Sequence, residues 1–334
     1  MLPLVGLCYG MLEDTQRRHR GIGADAFVRS PGTSFISLST ASMDERVVPL
    51  VARQPHVKQA VGALVWPIKG LSTITGIDLD EFNKMSGGLK LVHGSLPQKP
   101  DDILMDQDWA RQNKVSVGSS YELLNTKWQV CGIVEPGKLA RVFLPIRILQ
   151  EKTSNTGKLS QIYVKVDAHA NLPLVLEELK KLLPDYPILS LEELTSLFSV
   201  DQVPGLKAFI YVVIGLSVVV GFLVVFLSMY TAVLERTREI GILKALGASP
   251  AYVLNILIRE TAVLAVAGSV IGILMTYGTQ ALIKQFASAT LRQDIVYNWW
   301  IYAALIALGG ALLGSLYPGW KAARQDAIEA LAYE

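Results

Sequence analysis

One stretch of this chain has the spacing of a phosphate-binding loop. It reads GIVEPGKL, Gly132 to Leu139, and reproduces the pattern G-x-x-x-x-G-K. In such a loop a serine or threonine that binds magnesium follows the lysine, whereas here the next residue is Leu139. Glu135 would also place a negative charge where a phosphate approaches. The stretch therefore predicts a β-strand followed by a turn, and no nucleotide site.

The histidines and cysteines are too scattered to predict a metal or thiol site. They are His19, His56, His93, His169, Cys8 and Cys131. The sequence contains no H-E-x-x-H, C-x-x-C or G-x-S-x-G pattern. A net charge of +2 without a basic patch argues against nucleic acid as a partner. We therefore expect no catalytic residue, no bound metal and no cofactor, and predict a chain that is not an enzyme.

A short charged segment is the strongest candidate for contact with another molecule. It reads LERTREIGILKALGASP, Leu234 to Pro250. Its residues favour a helix as far as Gly247, which can end one, and Ser249 followed by proline can begin the next. Three apolar residues recur at three-residue spacing, Ile240, Leu243 and Leu246. The pattern predicts a short amphipathic helix; on the residues alone, a solvated turn whose basic side chains face anionic lipid is an alternative.

The segments around this helix are long and apolar. Of the 334 residues 51% are hydrophobic and 18% charged, which is typical of a membrane protein. Most of the excess lies in three runs, 208–234, 261–283 and 295–320. Each exceeds the ~20 residues that cross a bilayer, and a buried soluble helix rarely imitates three such runs in succession. We predict three transmembrane helices.

Basic residues near the ends of the runs predict the orientation. Short loops rich in Lys and Arg stay in the cytoplasm. Arg236 and Lys244 follow the first run, and Lys321 and Arg324 follow the third. The charged segment and the C-terminus should therefore be cytoplasmic, and residues 13–205 extracytoplasmic.

Residues 13–205 show the pattern of a folded α+β domain. Four runs predict strands: ADAFVR, AVGALVW, YELLNTKWQVCGIV and QIYVKV. LPLVLEELKKLLPD, 172–185, predicts a helix with one apolar face, formed by Leu172, Val175, Leu176, Leu179, Leu182 and Leu183. Residues 1–12 carry no charge but would form only ~18 Å of helix, too short to span. We interpret them as the remnant of a first transmembrane helix, and expect four such helices in the native protein.

The charged segment closely resembles the signature of a known family. ERTREIGILKALGAS, 235–249, is similar to the motif of the FtsX-like permease domain, the membrane component of ABC transporters of the MacB, LolC/LolE and DevC kind. The tail PGWKAARQDAIEALAYE resembles that family's C-terminal ending, with Ala327 where a proline is common. GIGADAFVRSPGTSF and DDILMDQDWARQNKVSVGSSYELLNTKWQVCGIV resemble the MacB-like periplasmic core domain. The resemblance covers almost the whole chain and implies a core domain at 13–205 and a permease domain at 206–334.

The resemblance implies a non-catalytic permease subunit whose short helix docks on a separate ATPase subunit. The residues that match the coupling motif are Glu235, Arg236, Arg238, Glu239, Gly241, Leu243, Lys244, Gly247 and Ser249. Hydrolysis in the partner would move this coupling helix and, through the spans, the outer domain, a mode of action called mechanotransmission. The work would be export or extraction at the outer face of a bacterial inner membrane.

Further partners follow from the same resemblance. It implies a homodimer or a pair with a paralogous permease, contact with membrane lipid, and in some members a periplasmic adaptor protein. The glycine pairs Gly268 with Gly272 and Gly310 with Gly314 would permit close helix packing, within one subunit or between two. The alternative function is that of an FtsX-type regulator, which acts on an extracytoplasmic partner such as a cell-wall hydrolase. A membrane-anchored enzyme has no supporting site in the sequence.

Overall fold

The computed structural model describes residues 1–33, 42–68, 72–138, 140–286 and 291–324 and divides the chain into two units. The helical unit consists of Met1–Tyr9, Pro204–Leu282 and Gln293–Glu334. The α/β unit consists of Gly10–Val203 and Ile283–Arg292. The first helix, α1 (Leu2–Arg20), is continuous and contributes residues to both units.

Most of the strands in the described part of the α/β unit form one mixed sheet. They are β1 (Ala26–Arg29), β2 (Met43–Asp44), β3 (Val57–Pro67), β4 (Thr73–Ile77), β5 (Leu91–Gly94), β6 (Asp102–Asp106), β7 (Ser120–Leu123), β8 (Thr126–Val134), β9 (Val142–Pro145), β10 (Lys158–Leu159), β11 (Gln161–Val166) and β12 (Ile188–Ser190). The sheet has the order β12-β1-β11-β3-β4-β9-β6-β8-β5, β7 pairs with β8, and β2 with β10 forms a separate ribbon. The pairs β4–β9 and β6–β8 are parallel, and the other pairs are antiparallel. We call β5 to β9 with α4 the second lobe.

The described part of the α/β unit also contains six shorter α-helices and one 3-10 helix, His169–Asn171. The α-helices are α2 (Val47–Ala52), α3 (Leu79–Ser86), α4 (Gln107–Asn113), α5 (Ile146–Lys152), α6 (Leu172–Leu182) and α7 (Leu191–Leu197). The predicted helix at 172–185 is α6, which buries Leu172, Val175 and Leu179 against β1 and β11, while Leu182 is exposed. α7 begins with a capping box, in which the Ser190 hydroxyl accepts the Glu193 N–H and the Glu193 carboxylate accepts the Ser190 N–H. The α+β pattern of the sequence is confirmed.

Each predicted strand is present, and the longest stretch contains two. Residues 121–134 form most of a hairpin, because Leu124 and Asn125 both have positive φ angles, 53° and 55°, as a tight two-residue turn requires. The stretch with phosphate-loop spacing is the end of β8 followed by a bend, as expected. Lys138 donates hydrogen bonds to the carbonyl oxygens of Ser86, at 2.6 Å, and Gly88, so its ammonium group stabilises the turn after α3. Leu139 lies outside the described residues.

The helical unit contains four further helices in its described part. They are α8 (Leu206–Glu235), α9 (Thr237–Ala245), α10 (Pro250–Phe286) and α11 (Asn298–Arg324). α8, α11 and residues Pro250–Ile283 of α10 are long and apolar enough to cross a membrane, as predicted. α8 and α11 approach closely at Gly314, where a Cβ atom would lie 3.1 Å from the Phe222 carbonyl oxygen. The buried face of α11 is made of small residues, which permits this approach.

Candidate functional site

The inner face of α9 is fixed by apolar packing. One residue, Arg236, separates α8 from α9, and the Thr237 hydroxyl donates to the Val233 carbonyl across this junction at 3.0 Å. Ile240 and Gly241 are buried. Ile240 belongs to a cluster to which α8, α9, α10 and α11 contribute: Met229, Val233, Ile240, Val253, Leu257, Ala322 and Ala323. A displacement of α9 therefore acts directly on α8, α10 and α11.

A hydrogen-bonded turn joins α9 to α10. The Ala248 N–H donates to the Leu243 carbonyl and the Gly247 N–H to the Lys244 carbonyl, both at 3.0 Å. This is a Schellman motif, which requires a left-handed residue, and Gly247 has a φ of 94°. The Ser249 hydroxyl then accepts the Tyr252 N–H at 3.2 Å and caps α10, which begins at Pro250. The two helices are thus joined without a flexible loop.

Two polar contacts connect α9 to its neighbours. Arg236 donates from Nη1 to both carboxylate oxygens of Glu260 on α10, at 3.1 and 3.2 Å. Lys244 donates from Nζ to the buried Ala323 carbonyl near the end of α11, at 2.9 Å. A cation at this position also interacts favourably with the negative end of the α11 dipole. Arg236 and Lys244 therefore orient α9 within its own unit.

The outer face of α9 is exposed and mixes charge with apolar surface. Glu235, Arg238 and Glu239 are exposed, as are Gly247 and Ser249. Leu243 is 39% exposed and Leu246 82%. The structure thus divides the nine predicted residues into an exposed set, and a set that is buried or held by contacts within the unit: Arg236, Gly241 and Lys244. Glu260 and Ala323 were not expected, because their contacts with α9 join residues 24 and 79 positions apart.

An apolar cavity of about 700 Å³ lies within the helical unit. Residues of α8, α10 and α11 line it, together with Met1, Leu2 and Pro3. Gly268, Gly272 and Gly310 face open space, whereas Gly314 packs against α8. Only one of the four glycines singled out in the sequence is therefore used for close packing within the described part of the chain. Within the same described ranges, no group of three His, Cys, Asp or Glu residues is placed to hold a metal ion.

A second polar cluster, which the sequence did not predict, lies in the α/β unit. Arg18 of α1 donates to Asp14 from Nε and to Asp106 from Nη2, both at 2.9 Å. Both aspartates accept these hydrogen bonds at Oδ2. Arg141 donates to the same two oxygen atoms, from Nη1 to Asp106 and from Nη2 to Asp14, both at 3.1 Å. All four side chains are buried. We call these four residues the ion network.

Hydrogen bonds and charge favour the ionised forms of Asp14 and Arg18, whereas burial and the charge of Arg18 lower the pKa of Arg141. Burial raises the pKa of Asp14, but the charge and hydrogen bond of Arg18, with Arg141 and Arg17, outweigh it and hold this pKa below its usual value. Burial likewise lowers the pKa of Arg18, and the charges of Asp106 and Asp14 more than compensate. The second oxygen of Asp106 is also bound, because Oδ1 accepts the Trp109 N–H at 2.7 Å and caps α4.

Comparison with known families accounts for nearly the whole chain. Residues 3–182 match the MacB-like periplasmic core domain, and residues 211–327 match the FtsX-like permease C-terminal domain. The three apolar helices lie in the permease match apart from the start of α8, and the sheet lies in the core-domain match apart from β12. The chain is therefore a membrane protein with an extracytoplasmic domain. Ala327, in the C-terminal tail, lies outside the described residues.

Similar proteins include ABC transporter permeases. The Uncharacterized ABC transporter permease YknZ of Bacillus subtilis is 29% identical over 65% of this chain and 55% of its own length. A Macrolide export ATP-binding/permease protein MacB of Nitrobacter winogradskyi is 29% identical over 64% of this chain and 35% of its own length. The chain thus spans about half, or less, of the curated relatives it matches.

Solved structures align with about half of the chain. The periplasmic region of MacB from Actinobacillus actinomycetemcomitans aligns with 52% of this chain and 92% of its own, at 16% identity and a TM-score of 0.39. The core-domain match alone includes more than half of the chain, and the permease match most of the remainder. The chain belongs to the family of FtsX-like ABC transporter permeases that contain a MacB-like periplasmic core domain.

Proposed function

We propose that this chain is the membrane subunit of an ABC transporter and that α9 is its coupling helix. ATP hydrolysis in a separate ATPase subunit would move α9, and the spans would pass this movement to the outer domain, which exports or extracts a substrate at the outer face. The observation that supports the proposal is the geometry of α9. Its inner face packs in a cluster shared with α8, α10 and α11, and its outer face is exposed.

The two faces of α9 would have different roles. Leu243 and Leu246 would provide the apolar anchors in a groove of the ATPase, and Glu239 and Arg238 would set the register by charge. Arg236 and Lys244 would hold the helix to α10 and α11, so that the docked helix cannot move alone. No residue of this chain is assigned a catalytic role.

The test measures binding to an ABC ATPase subunit from the same organism and the stimulation of its ATP hydrolysis. Leu243→Asp should weaken co-purification by about 30-fold, as loss of an interface hot spot does. Glu239→Lys should reduce stimulated ATP hydrolysis with a smaller loss of binding, because a rim charge acts mainly on association. Both variants should insert and fold like the parent, since the altered side chains are exposed.

A matched control separates docking from general damage. Leu182 on α6 is also 39% exposed, so Leu182→Asp makes the same change at the same exposure in the other unit. It should leave binding and hydrolysis unchanged. Full binding and full stimulated hydrolysis by both the Leu243 and Glu239 variants would show that the outer face of α9 does not dock on the ATPase, and would contradict the proposal.

The remaining partners and the location belong to the same proposal. The transporter would be a homodimer or a pair with a paralogous permease, in a bacterial inner membrane, with residues 13–205 outside, the C-terminus in the cytoplasm and a periplasmic adaptor on the outer domain. The match to the core domain supports transport over the alternative of an FtsX-type regulator. A substrate-dependent rise in ATP hydrolysis would favour transport, and activation of a cell-wall hydrolase by the intact complex would favour regulation.

A further inference from the structure

The ion network joins three parts of the α/β unit that are distant in sequence. Asp14 and Arg18 lie one turn apart on α1, Asp106 is the last residue of β6, and Arg141 immediately precedes β9. One oxygen of each aspartate accepts hydrogen bonds from both arginines, so the four groups form a closed ring. Arg18 also donates to the Ala140 carbonyl at 3.2 Å. Arg18 therefore connects α1 to the second lobe by two bonds, and Arg141 adds a third through Asp14.

Such a ring is an unusual way to attach a helix to a sheet. Apolar residues of similar size could fill the same space without the cost of removing four charges from water. Ionic contacts, unlike apolar ones, fix distance and direction, because a guanidinium group that shifts loses its hydrogen bonds in this low-dielectric site. The ion network thus prevents sliding as well as separation of α1 and the second lobe.

The backbone supports the same attachment at the end of α1. A Cβ atom on Gly21 would overlap the carbonyl group of Gly137, so the chain after α1 touches the bend after β8 directly. Arg17 adds a further hydrogen bond to Asp14 at 2.9 Å. On another side of α1, Gln16 donates to the Phe198 carbonyl at 2.8 Å, and the His19 ring stacks on Phe198.

We infer that Asp14, Arg18, Asp106 and Arg141 are positioning residues that hold α1 and the second lobe as one rigid body, so that the second lobe follows any displacement of α1. That α1 is displaced at all rests on the proposed function, in which the membrane helices move. The rigid attachment is independent of it and can be measured without an ATPase or a substrate.

Arginine-to-lysine variants of the full chain in lipid nanodiscs test the attachment. Arg141→Lys keeps the charge but cannot donate to Asp14 and Asp106 from two separate nitrogens, as the guanidinium group does. The amides of residues 13–20 should then exchange hydrogen about 10- to 100-fold faster, while those of β8 keep the parent's rate. The control is Arg147→Lys. Arg147 is exposed and pairs with Glu45, which is not part of the ion network.

A distance measurement separates attachment from stability. Spin labels at Glu13→Cys on α1 and Lys127→Cys on β8 report the distance between α1 and the second lobe. Cys8→Ala and Cys131→Ala remove the native cysteines. The parent and the Arg147→Lys variant should give one narrow distance distribution, and Arg141→Lys a broadened one. If Arg141→Lys fails to fold, Arg18→Lys provides the same comparison.

Two results would overturn the inference. One is a narrow distribution and unchanged α1 exchange in the arginine variants of the ion network. The other is faster exchange spread evenly over α1 and β8, which would mean that the ion network stabilises the unit without fixing α1. Neither result bears on the docking of α9, and a failure of the Leu243→Asp test would leave these measurements unaffected.

Discussion

Gly247 shows how a residue without a side chain can decide the geometry of a site. Its φ of 94° lies in the left-handed region, and its N–H closes the end of α9. Open space surrounds the position where a Cβ atom would lie, so backbone strain and not crowding limits what can replace it.

Replacing Gly247 should therefore depend on backbone preference. Gly247→Val should lower the free energy of unfolding of the helical unit by about 1–2 kcal/mol more than Gly247→Asn, because asparagine tolerates the left-handed region and a β-branched residue does not. Unfolding of the full chain by sodium dodecyl sulfate in mixed micelles, followed by circular dichroism, gives the comparison. Equal losses for the two variants would contradict the assigned role of the turn.

His19 is a second residue whose surroundings predict a measurable effect. Burial lowers its pKa, the charges of Arg29 and Arg18 lower it further, and the hydrogen bond between Nδ1 and the Thr15 carbonyl opposes them. The ring is therefore neutral in the folded protein at neutral pH. Because the unfolded chain takes up a proton first as the pH falls below the usual value of 6.5, stability is lost from that point downward and unaffected above it.

His19→Phe should remove this loss. The melting temperature of the full chain should fall between pH 7.5 and pH 5 in the parent, and His19→Phe should reduce that fall. His169→Phe is the matched control, since His169 is exposed and should leave the parent's pH dependence in place. An identical pH dependence in the parent and the His19 variant would show that folding does not lower the pKa of this ring.

At the scale of elements, α9 is held by two polar contacts of unequal strength. The Arg236–Glu260 pair is largely exposed, and such pairs contribute little, about 0–1 kcal/mol. Lys244 binds a buried carbonyl at the end of α11, where loss of the donor leaves an acceptor unsatisfied. The second contact should therefore dominate.

Lys244→Met should destabilise the helical unit by about 1–2 kcal/mol, and Arg236→Gln by less than about 1 kcal/mol. Met keeps the apolar stem of lysine and removes only the ammonium group. The detergent unfolding described for Gly247 measures both. A larger loss for Arg236→Gln would mean that α9 is held mainly to α10, and that the contact with α11 is secondary.

The elements that could be predicted from the sequence are those whose signals are local. α9, its glycine end and the serine cap of α10 follow one another within 17 residues, and each depends on neighbours in the chain. The three spans follow from length and composition, and α6 from its apolar spacing. Local spacing still misplaces single residues, since Leu182 of the predicted apolar face is exposed.

The ion network shows why the rest could not be predicted. Asp14 and Arg18 have the spacing of an ordinary helical ion pair, which is usually exposed and weak. Their partners lie 88 and 127 residues away, and only the pairing of β6 with β9 brings Asp106 and Arg141 together. The contacts of Arg236 and Lys244 likewise depend on tertiary packing. The sequence therefore predicted the short helix without separating the inner face of α9 from its outer face.

At the scale of the whole molecule, the proposed orientation predicts which residues are accessible from each side. In intact cells a membrane-impermeant maleimide should label Asn155→Cys but not Ala245→Cys, which should react only after the membrane is permeabilised. Burial raises the pKa of the native Cys131 thiol to about 11, so it should react slowly at neutral pH. Both variants should contain Cys8→Ala. Labelling of Asn155→Cys only after permeabilisation would invert the orientation.

The closed ring of the ion network also constrains how this protein can diverge. Because both arginines share both carboxylates, a substitution at any one position leaves a buried charge without its full set of partners. A single substitution at any of these positions therefore costs more stability than replacement of all four residues by apolar ones. In related sequences the four charges should be inherited together or lost together, and this covariation would be a record of how α1 is attached in each lineage.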